Sequence, residues 1–114
     1  MRQFTTNEQT AKLIELGLLK PKSIAKCNVG TGVWGYRPLC EQIYAYSIGE
    51  LIEMLPKKLD TTEDEEAYLG IEWDSIGWRL DYVHFGFSLY TSMNLELIDA
   101  LYEMVVKLKE EGVI

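Results

Sequence analysis

The chain has 114 residues, 47% of them hydrophobic and 25% charged, and its 18 Asp and Glu against 11 Lys and Arg give a formal net charge of -7. One domain spanning residues 1–114 is expected, since a domain takes roughly 100–200 residues, and these fractions match the ~45–50% apolar and ~25% charged residues of globular proteins. They exclude a disordered chain, a collagen, a coiled coil and a disulfide-dense scaffold, and the negative charge disfavours direct contact with nucleic acid or an anionic membrane because it repels phosphate.

In chain order, the first expected element is a helix over residues 6–16. Thr5 or Thr6 is placed to cap it, and Thr5 with Glu8 fits a capping box, in which the side chain at each end satisfies the other's backbone N–H. Glu8 and Lys12 form an i,i+4 pair in the favourable order. Gly17 suits the position just past the helix end, where φ is positive, and Leu18 can fold back on Leu13. Pro21 blocks continuation. Residues 23–29 then read as a strand, and residues 41–46 as extended chain or a short turn of helix. An exposed sheet edge here would favour a homodimer through strand pairing.

The second helix is expected over residues 48–55. Ser47 and Glu50 form a capping box, and Tyr46 and Leu51 are placed for a hydrophobic staple. Ile48, Leu51, Ile52 and Leu55 recur at helical spacing, and Pro56 stops the run. Acidic residues crowd positions 60–66, which read as a solvated loop. The Ca²⁺-loop pattern of alternating ligands, a Gly turn and a distant Glu is missing there.

Residues 67–85 read as a β-hairpin, with strands at 67–73 and 78–85. In the second strand Trp78, Leu80 and Tyr82 alternate with Arg79 and Asp81, the period of a half-buried strand. Asp74-Ser75-Ile76-Gly77 between them is turn chemistry. Residues 85–90 extend the second strand or form another. A last helix is expected over residues 95–110. Thr91, Ser92 and Asn94 are candidate caps, Ile98, Leu101, Val105 and Leu108 step by three and four, Glu103 and Lys107 form an i,i+4 pair, and Gly112 ends it.

The fold class is therefore α+β, with three helices packed on a small, mainly antiparallel sheet containing the hairpin. The C-terminal helix should press Ile98, Leu101, Val105 and Leu108 against the apolar side of the hairpin.

Candidate chemistry is sparse. Gly30-x-Gly32-x-x-Gly35 spells a dinucleotide-binding fingerprint, but that motif needs a helix directly after it, and Pro38 biases Arg37 away from helix. Cys27, Cys40 and His84 are too few, and wrongly spaced, for a structural zinc site. No cofactor and no metal are expected. Cys27 or Cys40 with His84 lacks a nucleophile signature, and Glu72, Asp74 and Asp81 read as outward charges on the hairpin rather than an acid–base pair. Trp73, Trp78, Tyr82 and Phe85 read as an aromatic part of the core. Trp34, Tyr36 and Arg37 are of the residue types enriched at binding hot spots, and they are the candidate partner contacts. No apolar leader or membrane span is seen, so a cytoplasmic protein with reduced thiols is expected.

Three stretches carry a resemblance: residues 10–17 (TAKLIELG), 46–56 (YSIGELIEMLP) and 97–109 (LIDALYEMVVKLK). Together they are similar to the small uncharacterised proteins that abound in Bacteroides-type gut bacteria and their prophages or mobile elements. The shared residues are core and cap positions, so the resemblance implies a fold and possesses no site to transfer. The leading expectation is a non-enzymatic accessory protein that binds another protein, encoded by a phage or mobile element. The alternatives are an acidic inhibitor that mimics nucleic acid toward a DNA-binding enzyme, and a small-ligand binder using the Gly-rich loop 30–35.

Overall fold

The structure, a computed structural model, describes residues 2–29, 40–60, 66–84 and 87–114. Helix α1 (Asn7–Glu15) begins one residue later than Thr5 would cap it. Thr6 is the cap: the Gln9 backbone N–H donates to Thr6 Oγ1 (3.1 Å), and the Thr6 N–H donates to Gln9 Oε1 (2.9 Å). The expected Thr5–Glu8 box is thus corrected to Thr6–Gln9. Thr5 is instead buried, shares a 2.7 Å hydroxyl–hydroxyl hydrogen bond with Thr10, and accepts from the Tyr46 N–H. The end of α1 is the expected Schellman turn. Gly17 has φ +90, its N–H donates to Ile14 O, and the Leu18 N–H donates to Leu13 O.

Strands β1 (Ser23–Val29) and β2 (Cys40–Ala45) form an antiparallel two-stranded sheet, which decides for the extended alternative at residues 41–46. Helix α2 (Ile48–Met54) follows with the Ser47–Glu50 capping box as read. Tyr46 and Leu51, the staple pair, are both fully buried in the core.

The second sheet is a four-stranded antiparallel meander of β3 (Lys58–Asp60), β4 (Glu66–Trp73), β5 (Trp78–His84) and β6 (Phe87–Asn94), in that order. The hairpin stands as expected, with Trp73 opposite Trp78 at its closing end. Two strands go beyond the sequence reading. Lys58–Asp60 adds an edge strand, so Asp60 and Glu66 at the flanks of the acidic stretch face each other in a ladder. Of the run at 85–90, residues 87–90 belong to a separate strand that reaches Asn94, with a register shift opposite Tyr82 and Val83, and residues 85 and 86 lie outside the described residues.

Helix α3 (Leu97–Glu110) therefore starts two residues later than expected. Thr91 and Ser92 lie in β6 and do not cap it; the helix N-cap is Glu96, which makes no side-chain capping bond. Ser92 is buried and donates its hydroxyl to Ala100 O (2.6 Å). Glu103 and Lys107 reach across to β6 instead of toward each other. Glu103 accepts from Asn94 Nδ2 (3.1 Å), and Lys107 Nζ donates to the Thr91 carbonyl. The helix closes on a second Schellman turn at Gly112.

The core lies between α3 and the inner face of the meander, closed by α1 and α2. Ile98, Leu101, Val105 and Leu108 are fully buried with Leu80 and Tyr82 of β5, as the stripe of α3 requires, and Leu13 and Leu51 join the same cluster. Arg2 ties the N-terminal segment to α3: its guanidinium donates two bonds to Asp99, and Gln9 donates a third to the same carboxylate. Among the described residues no helix is long and apolar enough to cross a membrane.

Tyr82 donates its buried hydroxyl to the Pro56 carbonyl (2.6 Å), and burial pushes its pKa up to about 12. The folded value lies above the ordinary 10.0, so the unfolded chain releases this proton first as pH rises. The stability due to Tyr82 is complete below pH 10 and is lost between pH 10 and about 12. Tyr46, raised by burial and by the Glu50 carboxylate, acts in the same direction. Tyr82→Phe is expected to cost about 1 kcal/mol at neutral pH and to flatten the alkaline fall in Tm. A series of melts across the alkaline range checks this, and an unchanged slope would contradict it.

Candidate interaction surface

The hairpin tip is built by one aspartate and one glycine. Asp74 Oδ1 accepts from the backbone N–H of Ile76 (2.7 Å) and of Gly77 (3.0 Å), and the Asp74 N–H donates to Gly77 O (2.9 Å). This Asx-type arrangement fixes a four-residue turn. A Cβ on Gly77 would stand 2.7 Å from the Asn94 carbonyl oxygen and 3.2 Å from Leu95 Cα. Glycine therefore lets the turn press against the junction between β6 and α3, close to the Leu95 backbone.

The packing of α3 decides what is left uncovered. The helix lies against β5 and β6, so the inner face of β4 runs out from beneath it toward the turn. Ile71 is part-exposed, and Trp73 keeps 61% of its surface in solvent. Trp78 packs against the core and holds the Trp73 ring edge-on, with centroids 5.4 Å apart and planes at 64°. Ile76 and Leu95 are 68% and 73% exposed. Trp73, Ile76 and Leu95 thus gather large apolar side chains at one end of the sheet, on a backbone fixed by the turn. Exposed apolar clusters rimmed by polar residues mark interaction sites.

Glu72 and Asp74 flank Trp73 in the chain, and Glu96 follows Leu95. Arg79 stands opposite Glu72 in the β4–β5 register, with its Nε 2.7 Å from Asp81, and the Arg2 backbone N–H donates to Glu96 Oε2 (3.2 Å) while its guanidinium binds Asp99. Asp81 corrects an expectation as well: it points to the outer face, yet only 8% of it is exposed. Thr91 Oγ1 donates to it at 2.8 Å and Arg79 covers it, so it is a structural acceptor. Trp73 is likewise corrected from core aromatic to surface residue.

Of the residues singled out in the sequence, Trp34, Tyr36 and Arg37, the glycines of the 30–35 loop, and Phe85 lie outside the described residues. In the backbone register Cys27 stands opposite Gln42, Cys40 opposite Val29, and His84 opposite Phe87 at the end of β5. Among the described residues no group of three or more His, Cys, Asp or Glu is placed to hold a metal ion. Two open concavities flank the segment after α1. One, of about 320 Å³, is lined by Leu19, Lys20, Lys22, Glu50, Glu53 and Met54; the other, of about 430 Å³, by Thr10, Ile14, Lys20, Pro21 and Tyr44. Ile76 and Leu95 were not legible as site residues; the available signal was a large aliphatic inside a turn and another directly before a helix.

Comparison of the chain with family models, with curated proteins and with solved structures finds no match.

Proposed function

We propose that the chain is a small, cytoplasmic, non-enzymatic accessory protein that works by binding another protein, of the phage or mobile-element provenance that its helical stretches suggest. The observation that supports this is the hairpin tip, where Trp73, Ile76 and Leu95 hold apolar surface in solvent on a rigid turn. Such exposure opposes solubility unless a partner covers it, and an exposed Trp is the residue type that most often dominates an interface. Trp34, Tyr36 and Arg37 are a second proposed contact set, chosen by residue type.

Affinity capture from extract of the native cell, read by mass spectrometry, tests the reading. The baits are the wild type, Trp73→Ala/Leu95→Lys and Trp34→Ala/Tyr36→Ala, each with its melting curve. The expected result is a protein retained by the wild type and depleted about tenfold by a variant that melts like it. Identical capture by all three baits would overturn both contact sets.

A further inference from the structure

Strand β6 ends the meander, and among the described residues no strand pairs with its outer edge. The Leu69 N–H donates to the Lys57 carbonyl, so the backbone of Leu69 points toward β3. Alternation across the Leu69–Tyr82 and Tyr82–Tyr90 pairs then turns the N–H and C=O of Thr91 and Met93 away from β5. Such a row of backbone groups is a template for another strand. The strand is eight residues long and uncharged. Two charges of α3 reach it: Lys107 Nζ donates to the Thr91 carbonyl, and Glu103 accepts from Asn94 Nδ2 (3.1 Å). We infer that β6 pairs antiparallel with β6 of a second copy, about a twofold axis at Ser92, joining two meanders into one continuous sheet.

The ladder and the charges set the register. Pairing with β5 is regular from Tyr90 to Asn94 and shifts beyond Tyr90, so the straight part of β6 is centred on Ser92. An axis there sets Thr91 opposite Met93 of the second copy and joins their outward N–H and C=O groups. The Thr91 carbonyl, bound by Lys107, keeps a second lone pair for this bond. The same axis sets Asn94 of the second copy opposite Tyr90, next to Thr91. Lys107 of each copy therefore meets Glu103 of the other, and two chains of net charge -7 touch where opposite charges face each other. An unrelated extended peptide offers backbone groups to this edge but no matching Glu and Lys, which is why a second copy is the occupant. The inference is independent of the hairpin tip and of the protein-binding reading.

Sedimentation over a concentration series tests this. The wild type is expected to form a reversible dimer. Met93→Pro removes an N–H that β5 does not use, a change an edge strand tolerates, and it should give a folded monomer. Glu103→Lys and Lys107→Glu should each weaken the dimer about tenfold, the first although it lowers the net negative charge, and the double exchange should restore it. In the wild type the amide protons of Thr91 and Met93 should exchange more slowly as concentration rises, a readout that needs no variant to fold. A wild type that stays monomeric throughout would overturn the inference, as would exchange at these amides that ignores concentration. Single charge variants that associate like the wild type contradict the Lys107–Glu103 match and with it the register. A dimer dissolved by Trp73→Ala and kept by folded Met93→Pro would move the contact to the hairpin tip and sink the proposal.

Discussion

Leu101→Ala is expected to destabilise the protein by about 3–4 kcal/mol, the cost of a large cavity in a core that cannot collapse around it. Leu101 is fully buried between α3 and the meander, amid Leu80, Tyr82, Ile98 and Val105. A domain of this size has roughly 5–15 kcal/mol of stability in total, so the variant should have a much lower urea midpoint at a similar m-value. Leu95→Ala is the control. Leu95 is 73% exposed, and its truncation should stay within about 0.5 kcal/mol. Equal midpoints for the two variants would contradict the placement of α3 on the sheet.

Gly77→Ala is the second large effect, expected at about 2–3 kcal/mol. Its Cβ would meet the Asn94 carbonyl oxygen at 2.7 Å and the carbonyl carbon at 3.0 Å, and both are backbone atoms that cannot swing aside. The backbone there also has φ +155. Gly112→Ala isolates the conformational part of the cost. Gly112 has φ +73, but nothing lies within 4 Å of its would-be Cβ, so a loss of about 1 kcal/mol is expected. If thermal melts show Gly112→Ala to be the more damaging of the two, the close approach of the turn to the β6–α3 junction is wrong. Gly77→Ala should also disturb the hairpin tip, because the turn packs there against the Asn94 and Leu95 backbone.

The start of α2, the ends of α1 and α3 and the apolar face of α3 were readable because their determinants are local. The Ser47–Glu50 box, Gly17, Gly112 and the 98–101–105–108 stripe each act within a few residues. The strands were harder where a residue type serves two purposes. Thr91, Ser92 and Asn94 are good caps and equally good strand or turn residues, and only the pairing with β5 and the bond from Ser92 to Ala100 decide between them. Lys58–Asp60 is three residues long, with one apolar side chain, and carries no periodicity of its own. The surface at the hairpin tip was the least legible. Trp73 obeys the same alternation as buried Ala67 and half-buried Leu69 of β4, and what exposes it is the packing of α3 on β5 and β6, a tertiary fact that no short window holds.

The central position of α3 bears on how the chain is made. Nearly half of the buried apolar residues described are on this helix, and Leu13, Leu51 and Leu80 are buried only by joining the cluster it completes. On the ribosome these earlier segments emerge first and wait, with their apolar faces wet, until residues 97–108 have left the exit tunnel. Stable folding then follows the synthesis of α3 rather than accompanying that of the preceding elements, and a nascent chain stalled before Leu97 is a client for chaperones and proteases.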